Sequence, residues 1–306
     1  MPSIIVPVRN NQVFTSTCLG SILFAVSRLN LACEFILIDD ASEAGENIIE
    51  VFKQHRANAT AHHCKIVRSR KHQHYSGVFS IGLHLATRDV IFFISNDMLV
   101  TPSFLEALLL VSSLSRDIGI VRGTSNYTDS HPEHQVEPPE PVKTYPAIDS
   151  FSRNQFSLNA CSYVEDELLS GDAILLKRSL VERIGVLDMR FFGYFGDIDY
   201  GMRAKVAGFK LACAKGAWLY HEGAGHVKRQ LERNRHLKYE DLHAMRMALV
   251  EGAYQEFRSK WHIRDGPPTC AGLRTTEFVA KGLANADRVS LKYDFPPSVI
   301  DDLEFY

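Results

Sequence analysis

The stretch Val90-Ile91-Phe92-Phe93-Ile94-Ser95-Asn96-Asp97 decides how the rest of the chain is read. Five consecutive β-branched or aromatic residues followed by small polar ones are the pattern of a short strand buried on both faces. Open α/β sheets bind ligands in the crevice beyond the carboxyl ends of their strands, and Asp97 falls just past such an end. Outward from it, Ser3 to Val8 reads as a strand, Thr15 to Leu29 as a helix, Glu34 to Ile38 as a strand and Gly45 to His55 as a helix. Lys65 to Val67, Gly77 to Ala86, Pro102 to Leu114 and Ile118 to Val121 continue the alternation. This predicts a Rossmann-type, mostly parallel mixed sheet flanked by helices. The first strand runs into Arg9-Asn10-Asn11 with no Gly-x-Gly-x-x-Gly, and no Gly-Lys-Ser/Thr occurs, which argues against a dehydrogenase or a P-loop enzyme.

The rhythm breaks over residues 123–168, where Pro132, Pro138, Pro139, Pro141 and Pro146 stand among polar residues. This reads as a long irregular excursion, either a lid or binding loop or a surface insertion. Strands are expected again at Ala173 to Leu176, Leu211 to Ala214 and Trp218 to Tyr220, with helices at Ser179 to Ile184 and Ile198 to Ala207. A second acidic island, Phe191-Phe192-Gly193-Tyr194-Phe195-Gly196-Asp197-Ile198-Asp199-Tyr200, places Asp197 and Asp199 at a helix start, where the dipole favours carboxylates. From Arg229 to Trp261 the positions Leu242, Met245, Leu249, Ala253, Phe257 and Trp261 predict a helical segment with one buried stripe. The basic residues Lys228, Arg229, Arg233, Arg235 and Lys238 read as a solvated helix face or as an acceptor- or membrane-facing surface.

The chain has 306 residues, 45% of them hydrophobic, and a formal net charge of -2, so nothing global draws it to nucleic acid or to an anionic membrane. No apolar run approaches the roughly 18 residues that span a bilayer, and a strand pattern stands where a signal peptide would, so a cytoplasmic protein is expected. The six cysteines include no Cys-x-x-Cys pair, which argues against disulfides and zinc. The sequons at Asn58 and Asn126 carry little weight in a protein without a secretory signal.

Several of these segments also carry a family likeness. Ser170-Gly171-Asp172-Ala173, Arg183-Ile184-Gly185-Val186-Leu187-Asp188, Arg190 to Asp199, Arg203, Gly208 and Tyr220-His221 resemble the second half of family-two inverting glycosyltransferases. Ile4-Ile5-Val6-Pro7-Val8-Arg9-Asn10, Leu37-Ile38-Asp39-Asp40-Ala41-Ser42 and Ser95-Asn96-Asp97 resemble their nucleotide-binding half. The resemblance covers roughly residues 3–225. It implies a GT-A-like domain over 1–225, divided into a nucleotide-binding half (1–122), the irregular loop (123–168) and an acceptor and catalytic half (169–225), followed by a helical extension over 226–306.

By that resemblance, Pro7, Arg9 and Asp39 frame the base and ribose of a UDP- or dTDP-sugar, a carboxylate being suited to accept an imide N–H. Asp39 and Asp40 also have a turn-forming reading ahead of Ser42. His74 and Gly77 match a segment near the nucleotide. Asp97 and His221 would hold one Mn²⁺ or Mg²⁺ on the diphosphate, with Asn96 beside them and His226 a competitor for the imidazole position. Gly171 and Asp172 would contact the donor sugar, Asp197 would be the base, and Asp199 and Arg203 would brace its helix. Gly196 stands where the family has Glu. The expected activity is transfer of a hexosyl or deoxyhexosyl group to a saccharide or glycoconjugate in polysaccharide synthesis, in the cytoplasm or at the inner membrane face, without nucleic acid; peripheral membrane association and oligomerisation stay open. Two rivals are a catalytically silent nucleotide-sugar-binding scaffold and a sugar-nucleotide pyrophosphorylase, which would need a basic, glycine-rich phosphate loop after the first strand.

Overall fold

The computed structural model describes residues 1–59, 62–128, 132–169, 171–223, 238–270 and 275–306. Ser170, His226, Lys228, Arg229, Arg233 and Arg235, named above, lie outside the described residues.

The first half alternates as its apolar runs dictate: β1 (Ser3–Val8), α1 (Gln12–Arg28), β2 (Glu34–Asp40), α2 (Ile48–Asn58), β3 (His63–Ser69), α3 (His74–Leu85), β4 (Val90–Ile94), β5 (Met98–Leu99), α4 (Pro102–Ser113) and β6 (Ile118–Ser125). Then follow α5 (Tyr145–Asn159), β7 (Tyr163–Glu165), β8 (Ala173–Lys177), α6 (Arg178–Ile184), α7 (Gly196–Val206), β9 (Lys210–His221), α8 (Tyr239–Lys260), α9 (Thr275–Leu283), α10 (Pro297–Ile300) and β10 (Leu303–Phe305). The strand order is β10-β3-β2-β1-β4-β8-β6-β9, with β5 and β7 both paired to β9. Strands β1 to β4, β6 and β9 run one way, and β5, β7, β8 and β10 oppose them, which is the expected mostly parallel mixed sheet.

Alternate residues of the central strands feed two cores, as they must where helices cover both faces. Ile4, Val6, Phe35, Leu37 and Phe92 pack with Leu19 and Ile22 of α1, Phe52 of α2 and Phe104 of α4. Ile5, Ile36, Ile38, Ile91 and Phe93 pack with Phe79 of α3, Leu180 of α6 and Tyr200 of α7. A third core joins the C-terminal extension to the second acidic island: Tyr254, Phe257 and Trp261 of α8 and Phe278 of α9 close over Phe191, Phe195 and Met202.

Four expectations are corrected. The excursion over 123–168 is not irregular throughout, since it contains α5 and β7; Pro146 stands in the first turn of α5, where its missing N–H costs nothing. The two strands expected between Leu211 and Tyr220 are one strand, β9, which follows β6 in parallel through register shifts. The C-terminal extension is not wholly helical, because β10 returns to pair antiparallel with β3 at the sheet edge. On α8, Leu242, Phe257 and Trp261 are buried, whereas Met245 and Leu249 are 62% and 58% exposed. Among the described residues no helix is long and apolar enough to cross a membrane.

Candidate active site

The carboxyl ends of the parallel strands gather two groups of residues. At the ends of β1, β2 and β3, Arg9 Nη1 donates to the carbonyls of Asp40 and Ala41 at 2.7 and 3.0 Å, tying the loop after β1 to the loop after β2, with Pro7 half-buried beside them. Asp39 is fully enclosed: its Oδ1 accepts from Ser42 N at 2.9 Å and its Oδ2 from Arg68 Nη1 at 2.5 Å. The turn-forming reading of Asp39 is therefore realised, and each of its oxygens already accepts one hydrogen bond. Asp40 accepts from Gln73 N at 2.6 Å and meets His72 Nδ1 at 2.7 Å. His74, at φ 58, packs its ring 3.8 Å from that of His72; burial, then the charge of His72, holds its imidazole below the usual value. Gly77 lies inside α3 against Gln73 and Met189.

The second group forms where β4, β8 and β9 end. Pairing of Met98 with His221 and of Leu99 with Tyr220 delivers His221 to Asp97, Nε2 lying 3.3 Å from Oδ2. Asn126 clamps the histidine backbone from both sides, accepting from His221 N at 2.7 Å and donating to His221 O at 2.9 Å. The ring's Nδ1 faces Tyr127 O at 3.3 Å. Both ring nitrogens thus face oxygen acceptors, which favours the doubly protonated ring; a cation at Nε2 would take the place of the proton shared with Asp97, with the Tyr127 carbonyl as orienting partner on Nδ1. Burial opposes a charge on this imidazole, but Asp97 and Asp172 outweigh it and raise its pKa. Asn96 donates to Thr15 Oγ1 at 3.0 Å, pinning the turn to α1. Ser95 N donates to Asp172 O at 2.8 Å, which brings the segment before β8 alongside.

Asp197 sits in the first turn of α7, after Phe195 at φ 64, and is tied to the same segment: Gly171 N donates to its Oδ2 at 3.3 Å and Ile198 N to its Oδ1 at 2.9 Å. Burial, then the charge of Asp172, pushes its pKa up to about 6. A carboxyl so placed is a weak acid near neutrality and a competent proton acceptor. Tyr75 Oη donates to Gly171 O at 3.1 Å, and a Cβ at residue 171 would run into that hydroxyl. Gly196 is explained by the same crowding, since a Cβ there would meet Ser76 Oγ, itself bonded to Phe191 O. A larger residue at 196 would require the Ser76 hydroxyl to turn away from Phe191 O.

Five participants were not singled out in the sequence: Arg68, His72, Tyr75, Asn126 and Tyr127. Only Asn126 stood in a motif, as a sequon, and its amide is occupied by His221. Asp199 and Arg203 brace the helix as expected, through a fully buried pair at 2.9 Å. All six cysteines are free. Cys213 nevertheless joins His134 and Asp166 in a buried group whose ligand atoms lie within 4.8 Å of one another. Its thiol is pushed up to about 12 by burial and then by Asp166, and His134 already meets Asp166 at 2.7 Å.

Residues 3–185, more than half of the chain, match the family described as glycosyl transferase family 2. No curated protein sequence matches significantly. Among solved structures the chain is similar to mannosyltransferase PcManGT from Pyrobaculum calidifontis in complex with GDP-Man and Mn²⁺, at 14% identity over 94% of this chain and 86% of that one, with a TM-score of 0.51. It is similar to GalNAc-T7 with UDP, GalNAc and Mn²⁺ at 15% identity and a TM-score of 0.53, over 72% of this chain but only 43% of that one. It is also similar to S. aureus TarS 1-349 at 12% identity over 93% and 88% of the two chains, with a TM-score of 0.51. At these identities the likeness is one of fold, and the fold is that of GT-A glycosyltransferases.

Proposed function

The chain belongs to glycosyl transferase family 2, and from that premise we propose that it moves a sugar, with inversion, from a UDP- or dTDP-sugar to a hydroxyl of a saccharide or glycoconjugate. The observation that carries this reading is the placement of Asp97, His221, Asp172 and Asp197 around one backbone segment, 171–172, at the sheet's carboxyl edge. Asp97 and His221 offer one carboxylate oxygen and one imidazole nitrogen to a cation, a donor set that suits Mn²⁺ or Mg²⁺ completed by phosphate oxygens and water. A bound divalent cation supplies Lewis-acid neutralisation of the departing diphosphate. Two of the solved neighbours were determined with Mn²⁺ and a nucleotide or nucleotide-sugar, which agrees with this assignment.

Asp197 takes the proton of the attacking hydroxyl. Gly171 N and Ile198 N hold its carboxylate, and Tyr75 fixes the segment that carries Gly171. Inversion follows from a single displacement with the base on the face opposite the leaving group. Asp39 accepts the imide N–H of uracil or thymine; an ionised carboxylate has lone pairs enough for this, for Ser42 N and for Arg68 together. Pro7, Arg9, His74 and Asn96 line the nucleotide's path, and Asp172 meets the sugar. We assign the activity to cytoplasmic synthesis of a surface polysaccharide or glycoconjugate. The test is calorimetric titration of UDP, dTDP and GDP with and without Mn²⁺. Metal-dependent binding of a pyrimidine nucleotide is expected, and binding of GDP alone, or of none, would refute the donor assignment.

A further inference from the structure

Arg122, on β6, is 7% exposed, and its Nη1 is buried without a hydrogen-bond partner among the described residues. Its one hydrogen bond among them is a long one, from Nε to Gly123 O at 3.3 Å, and it forms no ion pair among them. Asp166, which shares the surroundings of Cys213 with Arg122, is taken by His134 at 2.7 Å, and Asp97 by His221 at 3.3 Å. A buried guanidinium left in this state is costly, and such a cost persists where the missing anion arrives with a ligand. Arg122 lines a narrow, partly open cleft together with Thr124, Tyr127, Asp172, Ala173 and His221. The cleft has room for a group about the size of a water molecule, so a carboxylate can enter it while the sugar ring that carries it stays at the mouth. The rim of the cavity is the sugar and metal side of the site described above.

Resting on the glycosyl-transfer reading, we propose that Arg122 binds the carboxylate of a hexuronic acid residue, so that this enzyme handles an acidic sugar. The guanidinium fork matches a carboxylate in geometry and charge. The donor's diphosphate would have a counter-charge of its own, a cation at Asp97 and His221. The carboxylate belongs either to the transferred sugar or to the acceptor's terminal residue, and the two sources separate experimentally.

Calorimetric titration of UDP, UDP-glucose and UDP-glucuronate in Mn²⁺ forms the donor arm. Initial rates with glucuronate-ended and glucose-ended oligosaccharides form the acceptor arm. Wild type should prefer the acidic member of one pair by about tenfold or more, the worth of a charge-assisted bond. Arg122→Gln should abolish that preference with UDP affinity unchanged, and Arg122→Lys should retain part of it. Arg122→Met, which removes an uncompensated buried charge, should melt no lower than wild type without ligand. No preference in either arm overturns the proposal. So does a loss of UDP affinity in Arg122→Gln as large as the loss for the acidic donor, which would place Arg122 on the diphosphate, or a large fall in the melting temperature of Arg122→Met, which would make it a structural cation. If UDP itself fails to bind wild type, the donor reading falls and this proposal with it; binding of UDP without acidic preference sinks this proposal alone.

Discussion

Lys260 Nζ lies 2.6 Å from Asp199 Oδ1, two residues beyond Asp197, and 3.0 Å from Asp188 Oδ2. Trp261 Nε1 donates to the same Asp199 oxygen at 2.9 Å, while Arg203 takes Asp199 Oδ2 at 2.9 Å. All five side chains of this network are almost fully buried, and the lysine also stands over the rings of Phe191 and Tyr293. The last turn of α8 is thus bolted to the first turn of the helix that carries the proposed base. The matched family segment ends at residue 185, so this bolt is built by parts of the chain outside it.

Replacing Lys260 with Ala leaves Asp199 with Arg203 and Trp261 and Asp188 with the half-exposed Arg190 as partners, so the loss should be at or below the about 3–5 kcal/mol that breaking a buried pair costs. Urea denaturation should show that loss. Turnover should fall alongside it, because the register of α7 sets the position of Asp197, while affinity for a nucleoside diphosphate, bound at the other strand ends, should change little. A variant with an unshifted urea midpoint would show that the contact is not structural.

Much of this site was legible in the sequence because its residues stand at strand ends, and buried parallel strands announce themselves as short apolar runs. Val90 to Ile94 gave the position of Asp97, and Glu34 to Ile38 gave that of Asp39. Lys260 was not legible, since a lysine on a helix reads as solvated until a partner from another segment covers it. Met245 and Leu249 misled for the opposite reason: they continue a periodic stripe, but the core ends at Tyr254 and Phe257 and nothing among the described residues covers the outer turns. Pro146 disguised a helix by standing at its first turn, and β10 is too short to signal itself. The glycine at 196 looked like a missing carboxylate; its cause, the approach of Ser76, exists only in three dimensions.

For the metal pair, Asp97→Ala and His221→Ala should each remove most of the Mn²⁺-dependent part of nucleoside diphosphate binding, and EDTA should abolish transfer by the wild type. Their melting temperatures without metal should stay within a few degrees of wild type, because Asn126 holds the β9 end through the backbone of His221 and does not use its ring. Retention of metal-dependent binding in both variants would exclude the pair as ligands.

Asp39→Ala should weaken binding of the preferred nucleoside diphosphate by roughly 1–3 kcal/mol, the cost of leaving a polar group without its partner. Binding of inorganic pyrophosphate with Mn²⁺ should be unaffected. The contrast separates base recognition from the turn at Ser42 and the pair with Arg68, whose loss would disturb the loop and weaken both ligands equally.

The proposed base makes the sharpest prediction, because two observables move in opposite directions. Asp197→Asn keeps the shape and the acceptor oxygen but removes basicity, so kcat should fall by about 10²- to 10⁴-fold with donor affinity nearly constant. Since the folded carboxyl titrates near 6, kcat of the wild type should rise with pH through that value as Asp197 loses its proton, and the variant's residual rate should lack that rise. The sign for stability is reversed. A carboxyl whose pKa is raised above its unfolded value of 3.8 favours the folded state when protonated; that contribution is whole below about pH 4 and is lost as pH climbs through 6. At neutral pH the charged Asp197 is therefore a burden, and Asp197→Asn should melt higher than wild type, by up to a few kcal/mol at about 1.4 kcal/mol per pKa unit. A variant that is slower and also less stable would assign Asp197 to helix capping, and one that loses donor affinity in step with kcat would move it to the nucleotide.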